Sequence, residues 1–210
     1  MTLNLPVGES RIASYDYSDL AEGVGYIIYY AYQGNQYVTG SEVYGLTTNT
    51  FYANPSMGIL NNVPVGASFV KVIDTDFDVT FNLPKLIKGK LRVLVPVIHG
   101  DDSSGVNHQY LIVRARKYSG TTETELASVQ TNTVDLSANA VAYYHYNVEM
   151  TIPLTHFKKG DKFRLTIEGW GHVDSGATST IIIYCDPMNQ AVASLLYTYL
   201  KAYVPFVIDL

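Results

Sequence analysis

The chain has 210 residues, a formal net charge of −5 and no run of basic residues, so a direct role in binding nucleic acid is not expected. Hydrophobic residues make up 47% of the chain and charged residues only 16%, against about 25% charged residues in a typical globular domain. Such a composition is typical of a protein with a large core whose surface is either covered by partner chains or rich in Ser, Thr, Asn and Tyr.

Targeting and redox signals indicate where the protein is made. Cys185 is the only cysteine, so no intrachain disulfide can form, and a reducing compartment is expected. The first ten residues lack the basic and apolar regions of a signal peptide. No apolar run reaches the ~20 residues that a membrane helix needs. We therefore expect a soluble protein, made in the cytoplasm, with no membrane partner.

Residues 1–66 differ in composition from the rest, because they contain nine of the 18 tyrosines. Gly23–Tyr32 and Gln36–Tyr44 are predicted to be two strands of a hairpin, and Thr47–Gly66 resembles an extended arm. One interpretation is an arm that contacts a neighbouring subunit, and the other is a hairpin that packs on the main domain and completes it. Under the first, the candidate interface residues are Tyr26, Tyr29, Tyr30, Tyr32, Tyr37 and Tyr44.

Residues 67–210 are predicted to form a β-sandwich domain. Phe69–Leu83 alternates apolar and polar residues late in the run, and Lys90–Ile98 is apolar on both faces, which predicts a strand that is either central or covered on both sides. Pro96 argues against ladder bonding at that one position.

The segment Gln109–Gln130 is predicted to be a tight hairpin with Ser119-Gly120 as its two-residue loop. Opposite charges would then pair on one face and mostly apolar residues on the other: Arg116 with Glu123, Arg114 with Glu125, Val113 with Leu126, and Leu111 with Ser128.

Further strands follow this hairpin. Tyr146–Leu154 is expected to point four apolar residues inward: Val148, Met150, Ile152 and Leu154. A turn at Lys158–Asp161 precedes an alternating strand, Ser179–Cys185 is a short apolar strand, and Leu196–Ile208 is the last. Helix is the alternative for Asn189–Lys201.

About eight strands after residue 66 and two before it predict an all-β fold: an antiparallel, jelly-roll-like β-sandwich with an N-terminal β-hairpin or arm. The domain boundary is placed between residues 66 and 67.

Motifs of the common hydrolases, nucleotide-binding loops and zinc proteases do not occur in the sequence, and no catalytic residue is assigned. His99 and His108 bracket a polar loop and could meet at its base, where a zinc or base role competes with a simple solvated loop.

Asp74, Asp76 and Asp78 share one face of a predicted strand. Their mutual repulsion requires a neutralising cation or Lys and Arg partners, and Ca²⁺ would suit such oxygens. The alternative is a charged strand face that discourages edge-to-edge pairing. No other cofactor is expected.

Trp170, the only tryptophan, lies between two glycines and precedes His172 by two residues. An exposed Trp at a strand end can stack on a sugar, whereas a buried core Trp is more usual. Trp170 and His172 are therefore the candidate ligand-binding residues.

Several segments carry a resemblance to a known class of proteins: THFKKGDKFRLTIEG from Thr155, DTDFD from Asp74, the KYSGTTETELAS hairpin and the closing VPFVIDL. They resemble β-rich virion structural proteins of tailed bacteriophages and related environmental viruses. The likeness covers most of residues 67–210 and includes SYDYSDLAEGVGYIIYYAY near the start. It implies a capsid decoration (cement), turret or minor capsid component, made in the host cytoplasm and located in the virion.

The leading hypothesis is thus a non-enzymatic structural protein on the capsid exterior, whose partners are other capsid proteins and copies of itself in a homotrimer. The alternative is a receptor- or carbohydrate-binding module on a virion or cell surface that uses Trp170. A hydrolytic enzyme is the third hypothesis.

Overall fold

The computed structural model describes residues 13–14, 24–35, 42–49, 58–100, 105–137, 140–176, 178–185 and 200–207. These residues form β-strands and no helix, which confirms the predicted all-β class. No helix long and apolar enough to cross a membrane occurs in this part of the chain. The strands are β1 (Ala13–Ser14), β2 (Val24–Asn35), β3 (Glu42–Thr47), β4 (Gly58–Val63), β5 (Val70–Thr80), β6 (Lys85–Gly100), β7 (Asn107–Ser119), β8 (Thr122–Gln130), β9 (Val134–Leu136), β10 (Val141–Phe157), β11 (Lys162–Val173), β12 (Ser179–Tyr184) and β13 (Lys201–Val207).

Eight of these strands form the two sheets of a sandwich. The first sheet has the order β2-β13-β6-β10 and the second has the order β5-β11-β7-β8, with antiparallel neighbours in both. β3 connects the sheets, since it pairs with β2 and meets β5 in one parallel pairing of Gly45 with Asp78. β12 and β4 extend the first sheet beside one end of β6, β9 pairs with β7, and β1 pairs with β2. Two four-stranded sheets in this order form the predicted jelly-roll-like sandwich.

The core lies between the two sheets and is built by strand alternation. On β6 the inward residues Leu91, Val93 and Val95 have no exposed surface, and on β11 the same holds for Leu165 and Ile167. β6 lies between β10 and the strands β12 and β13, so it is central in its sheet, as the apolar run Lys90–Ile98 predicted.

The N-terminal hairpin belongs to the sandwich. β2 pairs with β13 and β3, and Tyr29, Ala31 and Leu46 lie in the same hydrophobic core as the residues of the other strands. The sheet therefore continues across the predicted boundary at residues 66 and 67. Of the two interpretations of this hairpin, the structure agrees with the one in which it packs on the main domain and completes it.

The β7–β8 hairpin forms, but its predicted register was wrong. Ser119 pairs with Thr122, so the loop is Gly120-Thr121, with Gly120 at a φ of +62° that favours glycine. Arg116 consequently faces Glu125, and a β-bulge at Leu126 places Arg114 opposite Ser128. The bulge likewise brings Val129, not Leu126, opposite Val113.

The predicted ion pairs nevertheless form, because long side chains reach their diagonal neighbours across a strand pair. Nη1 of Arg114 lies 2.8 Å from Glu125, and Nη1 of Arg116 lies 3.3 Å from Glu123.

Two further predictions concern the strands around residue 157. Val148, Met150 and Ile152 are buried as expected, but Leu154 is 63% exposed, because a register shift between Ile152 and Thr155 turns it outward. In the predicted turn that follows, Gly160 has a φ of +91°. The Asp161 carboxylate closes this turn by accepting a hydrogen bond from the backbone N–H of Lys158 at 2.8 Å.

The last predicted strand is confirmed from Lys201 onward, with Ala202 and Val204 fully buried. Leu200 precedes it and is also buried. Residues 186–199, which include most of the segment with the helix alternative, lie outside the described residues.

Candidate functional site

The outer face of the second sheet carries a network of charged side chains. Its central strand, β11, directs apolar residues into the core, and its other residues form an outward row: Lys162, Arg164, Thr166, Glu168, Trp170 and His172. β5 and β7 flank β11 on its two sides, and their side chains, together with Glu123 of β8, provide the partners of this row.

Glu168 is the centre of the network and is only 4% exposed. Its carboxylate accepts hydrogen bonds from Nε of Arg114 at 2.9 Å and from Nε1 of Trp170 at 2.9 Å. A side-chain nitrogen of Lys71 and one of Arg116 each lie 3.9 Å from Oε1 of Glu168. Burial by itself would raise the pKa of Glu168, but the hydrogen bonds from Arg114 and Trp170 outweigh it and lower the pKa below its ordinary value. Glu168 is therefore ionised and fully partnered within the chain.

The three aspartates considered as calcium ligands lie on the same face. Each has a basic partner within the chain: Lys71 Nζ at 2.6 Å from Asp74, Arg164 Nη1 at 2.8 Å from Asp76, and Arg164 Nε at 2.7 Å from Asp78. Although burial raises the pKa of Asp78, hydrogen bonds from Arg164 and Lys162 lower it overall. Lys and Arg thus supply the neutralising charge that the sequence required, and Ca²⁺ would have to displace these pairs to bind here.

Trp170 is half-buried and engaged on two sides. Its ring lies parallel to that of Tyr110, with an interplanar angle of 8° and a centroid distance of 6.1 Å, and its N–H is donated to Glu168. Tyr110 and Glu168 therefore already contact part of the indole surface that a sugar ring would need for stacking.

His172 lies at the end of this face, beside a second histidine. The His172 and His108 rings stack at a centroid distance of 4.6 Å. Asp135 and Asp174 lie within 2.7 Å and 3.4 Å of the His108 ring nitrogens. Burial lowers the pKa of His108, but the hydrogen bonds to these two aspartates outweigh it and raise the pKa above its ordinary value. The cluster could not be predicted from residue spacing, because its members come from three separate segments, although His172 was a candidate ligand-binding residue.

His99 does not take part in that cluster. It is fully buried inside the sandwich, where Nδ1 lies 2.5 Å from Oε1 of Gln109 and Nε2 lies 3.1 Å from the hydroxyl of Tyr146. His108 lies on the outer face instead, so the two histidines that bracket the polar loop point to different environments. Burial lowers the pKa of His99 to about 4.

The outer face of the first sheet is chemically different. Tyr26, Tyr30 and Tyr32 alternate with the core residues of β2, so they lie on this outer face and are partly exposed. The other candidate interface tyrosines are placed differently. Tyr29 is in the core, Tyr44 packs edge-on against Phe77 at 5.7 Å, and Tyr37 lies outside the described residues.

Beyond these tyrosines, an apolar row crosses four strands of the same face. Leu60 of β4 pairs with Ile182 of β12, Ile182 pairs with Ile98 of β6, and Ile98 pairs with Tyr143 of β10. The two ends of the row are open to solvent, since Leu60 is 58% exposed and Tyr143 is 45% exposed. Val141, which lies two residues before Tyr143 on β10, is 54% exposed. We refer to Leu60, Ile182, Ile98 and Tyr143 as the apolar row.

No protein-family model matches this sequence, and no curated protein sequence matches it. Among solved structures, a CocE/NonD family hydrolase from Staphylococcus aureus aligns over 84% of this chain and 41% of its own, with 11% identity and a TM-score of 0.43. The VP2 subviral particle of infectious bursal disease virus aligns over 89% of this chain and 57% of its own, with 9% identity and a TM-score of 0.31. A structure of the Gt strain of that virus aligns over 88% of this chain and 52% of its own, with 10% identity and a TM-score of 0.27. The chain thus spans less than two thirds of each of these proteins, and the structural similarity is weak.

Proposed function

We propose that the chain is a non-enzymatic structural subunit of a virus particle, which associates with copies of itself through the outer face of its first sheet. The observation that carries this proposal is the apolar row. Ile98 in the middle of the row is buried, but Leu60 and Tyr143 at its two ends are exposed. Exposed apolar surface of this kind is costly to leave in water, since apolar surface contributes roughly 25 cal/mol per Å² when it is buried.

The contrast between the two sheet faces supports the proposal. On the second sheet, charged residues are paired within the chain, as in a face that stays in water. The first sheet also carries charged pairs, of Lys90 and Arg92 with Glu149. Elsewhere on this face, however, three partly exposed tyrosines of β2 and the exposed ends of the apolar row offer aromatic and aliphatic contact area, in which subunit interfaces are enriched.

The edge strand β10 adds a second reason to expect a covering partner. It is 17 residues long and pairs with β6 alone among the described strands. Its first half, Val141–Asn147, contains no Asp, Glu, Lys or Arg, although such charges are the usual protection of an exposed edge. A neighbouring subunit would protect both the edge and the adjoining row.

In finer detail, we propose a decoration (cement) or minor capsid role on the particle exterior. A homotrimer is the expected state, because threefold symmetry matches the axes of a capsid. The binding-module alternative would use Trp170, whose ring already packs against Tyr110.

Self-association of the purified full-length chain tests the proposal. We expect multi-angle light scattering and native mass spectrometry to find a trimer, and the double variant Leu60→Asp, Tyr143→Asp to be a folded monomer by circular dichroism. Leu83→Asp is the matched control, because Leu83 is 66% exposed but lies in the β5–β6 connection, away from the apolar row.

Two results would contradict the proposal. One is a wild-type chain that stays monomeric over the whole accessible concentration range. The other is a double variant that keeps the wild-type mass, because the apolar row would then not be the contact surface.

A further inference from the structure

The strand register brings four metal-type ligand groups to one end of the second sheet. His108 of β7 pairs directly with His172 of β11 on one side and with Asp135 of β9 on the other. Side chains of directly paired residues lie on the same face of a sheet. Asp174 follows β11, and its backbone N–H donates to the carbonyl of Val106 at 3.0 Å, which holds the aspartate beside the histidines.

From this arrangement we propose that His108, His172 and Asp174 bind a divalent transition-metal ion, with Zn²⁺ as the best match, and that Asp135 orients His108. One ligand atom from each of the three residues lies within 4.8 Å of the other two. Two imidazoles with one carboxylate form a ligand set that zinc uses in proteins, with a fourth position left for water or another ligand.

His172 supplies the main evidence that something is to be bound. The residue is 9% exposed, and its buried Nδ1 has no hydrogen-bond partner in the part of the chain that the structure describes. A buried polar nitrogen without a partner is costly. The carboxylate of Asp174 lies 3.5 Å from this nitrogen, which is too long for a good hydrogen bond but suitable for two ligands of the same ion.

The other distances agree with a shared ion. Nε2 of His108 lies 3.4 Å from Oδ2 of Asp174, and Nδ1 of His172 lies 3.5 Å from Oδ1 of the same carboxylate. Two ligands at ~2.0–2.2 Å from a tetrahedral Zn²⁺ are separated by about 3.4 Å. The ligand nitrogens of the two histidines lie within 4.8 Å of each other.

Asp135 has the position of an outer-shell partner. Its Oδ1 lies 2.7 Å from Nδ1 of His108, and Nε2 of that ring lies 3.4 Å from Asp174. With the proton on Nδ1, His108 donates to Asp135 and directs the lone pair of Nε2 toward the proposed ion. Metal-binding histidines commonly have such a carboxylate on the second ring nitrogen, which fixes the tautomer. On the other side, Phe69 packs edge-on against His172 at 4.7 Å and forms an apolar wall.

The test is metal binding by the full-length, tag-free chain after treatment with a chelator. We expect isothermal titration calorimetry to show one saturable Zn²⁺ site per chain and Co²⁺ to give the intense visible absorption of a tetrahedral complex. Zn²⁺ should also raise the melting temperature of the protein. His172→Gln and, independently, His108→Gln should remove the saturable site, and Asp135→Asn should weaken it by about 10- to 100-fold.

His156→Gln is the matched control, since His156 is an exposed histidine on β10 of the first sheet, whereas the cluster lies on the second sheet. It should bind Zn²⁺ like the wild type. Using two single ligand variants with circular dichroism keeps the test valid if one of them misfolds. The proposal is overturned if the wild type shows no saturable site, or if folded His108→Gln and His172→Gln proteins bind as the wild type does.

Discussion

The buried histidine of the core should make the protein sensitive to mild acid. His99 has no exposed surface, and its neighbours on β7 and β10, Gln109 and Tyr146, are both neutral there, the latter with a pKa raised to about 12 mainly by burial. The folded state therefore holds His99 neutral down to a pKa of about 4, below its ordinary value of 6.5. Between these values the unfolded chain binds a proton that the folded chain does not.

The sign and the size of the effect follow directly. Stability is fully present above about pH 6.5 and is lost as the pH falls toward 4, because protons then favour the unfolded state. A shift of this size corresponds to about 3 kcal/mol in the free energy of unfolding. His108 acts in the opposite direction, since its raised pKa favours the folded state at lower pH.

Urea denaturation between about pH 7 and 4.5 measures this loss. The wild type should lose most of that free energy over the range, whereas His99→Gln, which keeps a polar side chain but cannot be protonated, should lose much less. His156→Gln is the control and should behave as the wild type. Parallel losses in the wild type and His99→Gln, or an NMR titration of His99 near its ordinary pKa, would refute the reasoning.

Two further predictions concern packing. Gly171→Ala should lower the free energy of unfolding by about 1–3 kcal/mol, because its Cβ would lie 2.8 Å from Cγ1 of Val63 and 3.0 Å from the carbonyl oxygen of His108. Gly66→Ala, which has open space around the added Cβ, should be nearly neutral in the same denaturation assay, and equal stabilities of the two variants would contradict the packing argument. Deletion of residues 1–66 should abolish the β-sheet signal in circular dichroism, because it removes β2 and the core residue Ala31. A truncated chain that remains folded would mean that this hairpin is dispensable.

Strand alternation accounts for the parts of the fold that could be predicted from the sequence. Val148, Met150 and Ile152 are buried because period-two patterns determine which face enters the core. Irregularities defeat the same logic. The bulge at Leu126 and the shift that exposes Leu154 each add or displace one residue. Pro153, which lies within the second irregularity, is the kind of residue that marks a bulge, whereas no residue type marks the first.

Sites that depend on pairing between distant strands were the least predictable. His108 and His172 are 64 residues apart, and only the register of β7 against β11 makes them neighbours. The spacing rules for metal ligands work within one segment and therefore missed them, although His172 was singled out for its place beside Trp170. For the aspartates of β5, the sequence predicted the shared face but could not show that Arg164 would reach two of them.

The position of β13 has a consequence for how the protein is made. β13 lies between β2 and β6, and Leu200 accepts a backbone hydrogen bond from Ala31. β2, which the ribosome produces early, can therefore take its place in the first sheet only after residues 200–207 have been synthesised. Pairing across such long stretches of chain is slow to form. Until it happens, β2 and the Ile87–Leu94 part of β6 each have an edge without the strand that covers it in the folded sheet, so the first sheet is closed last by residues 200–207.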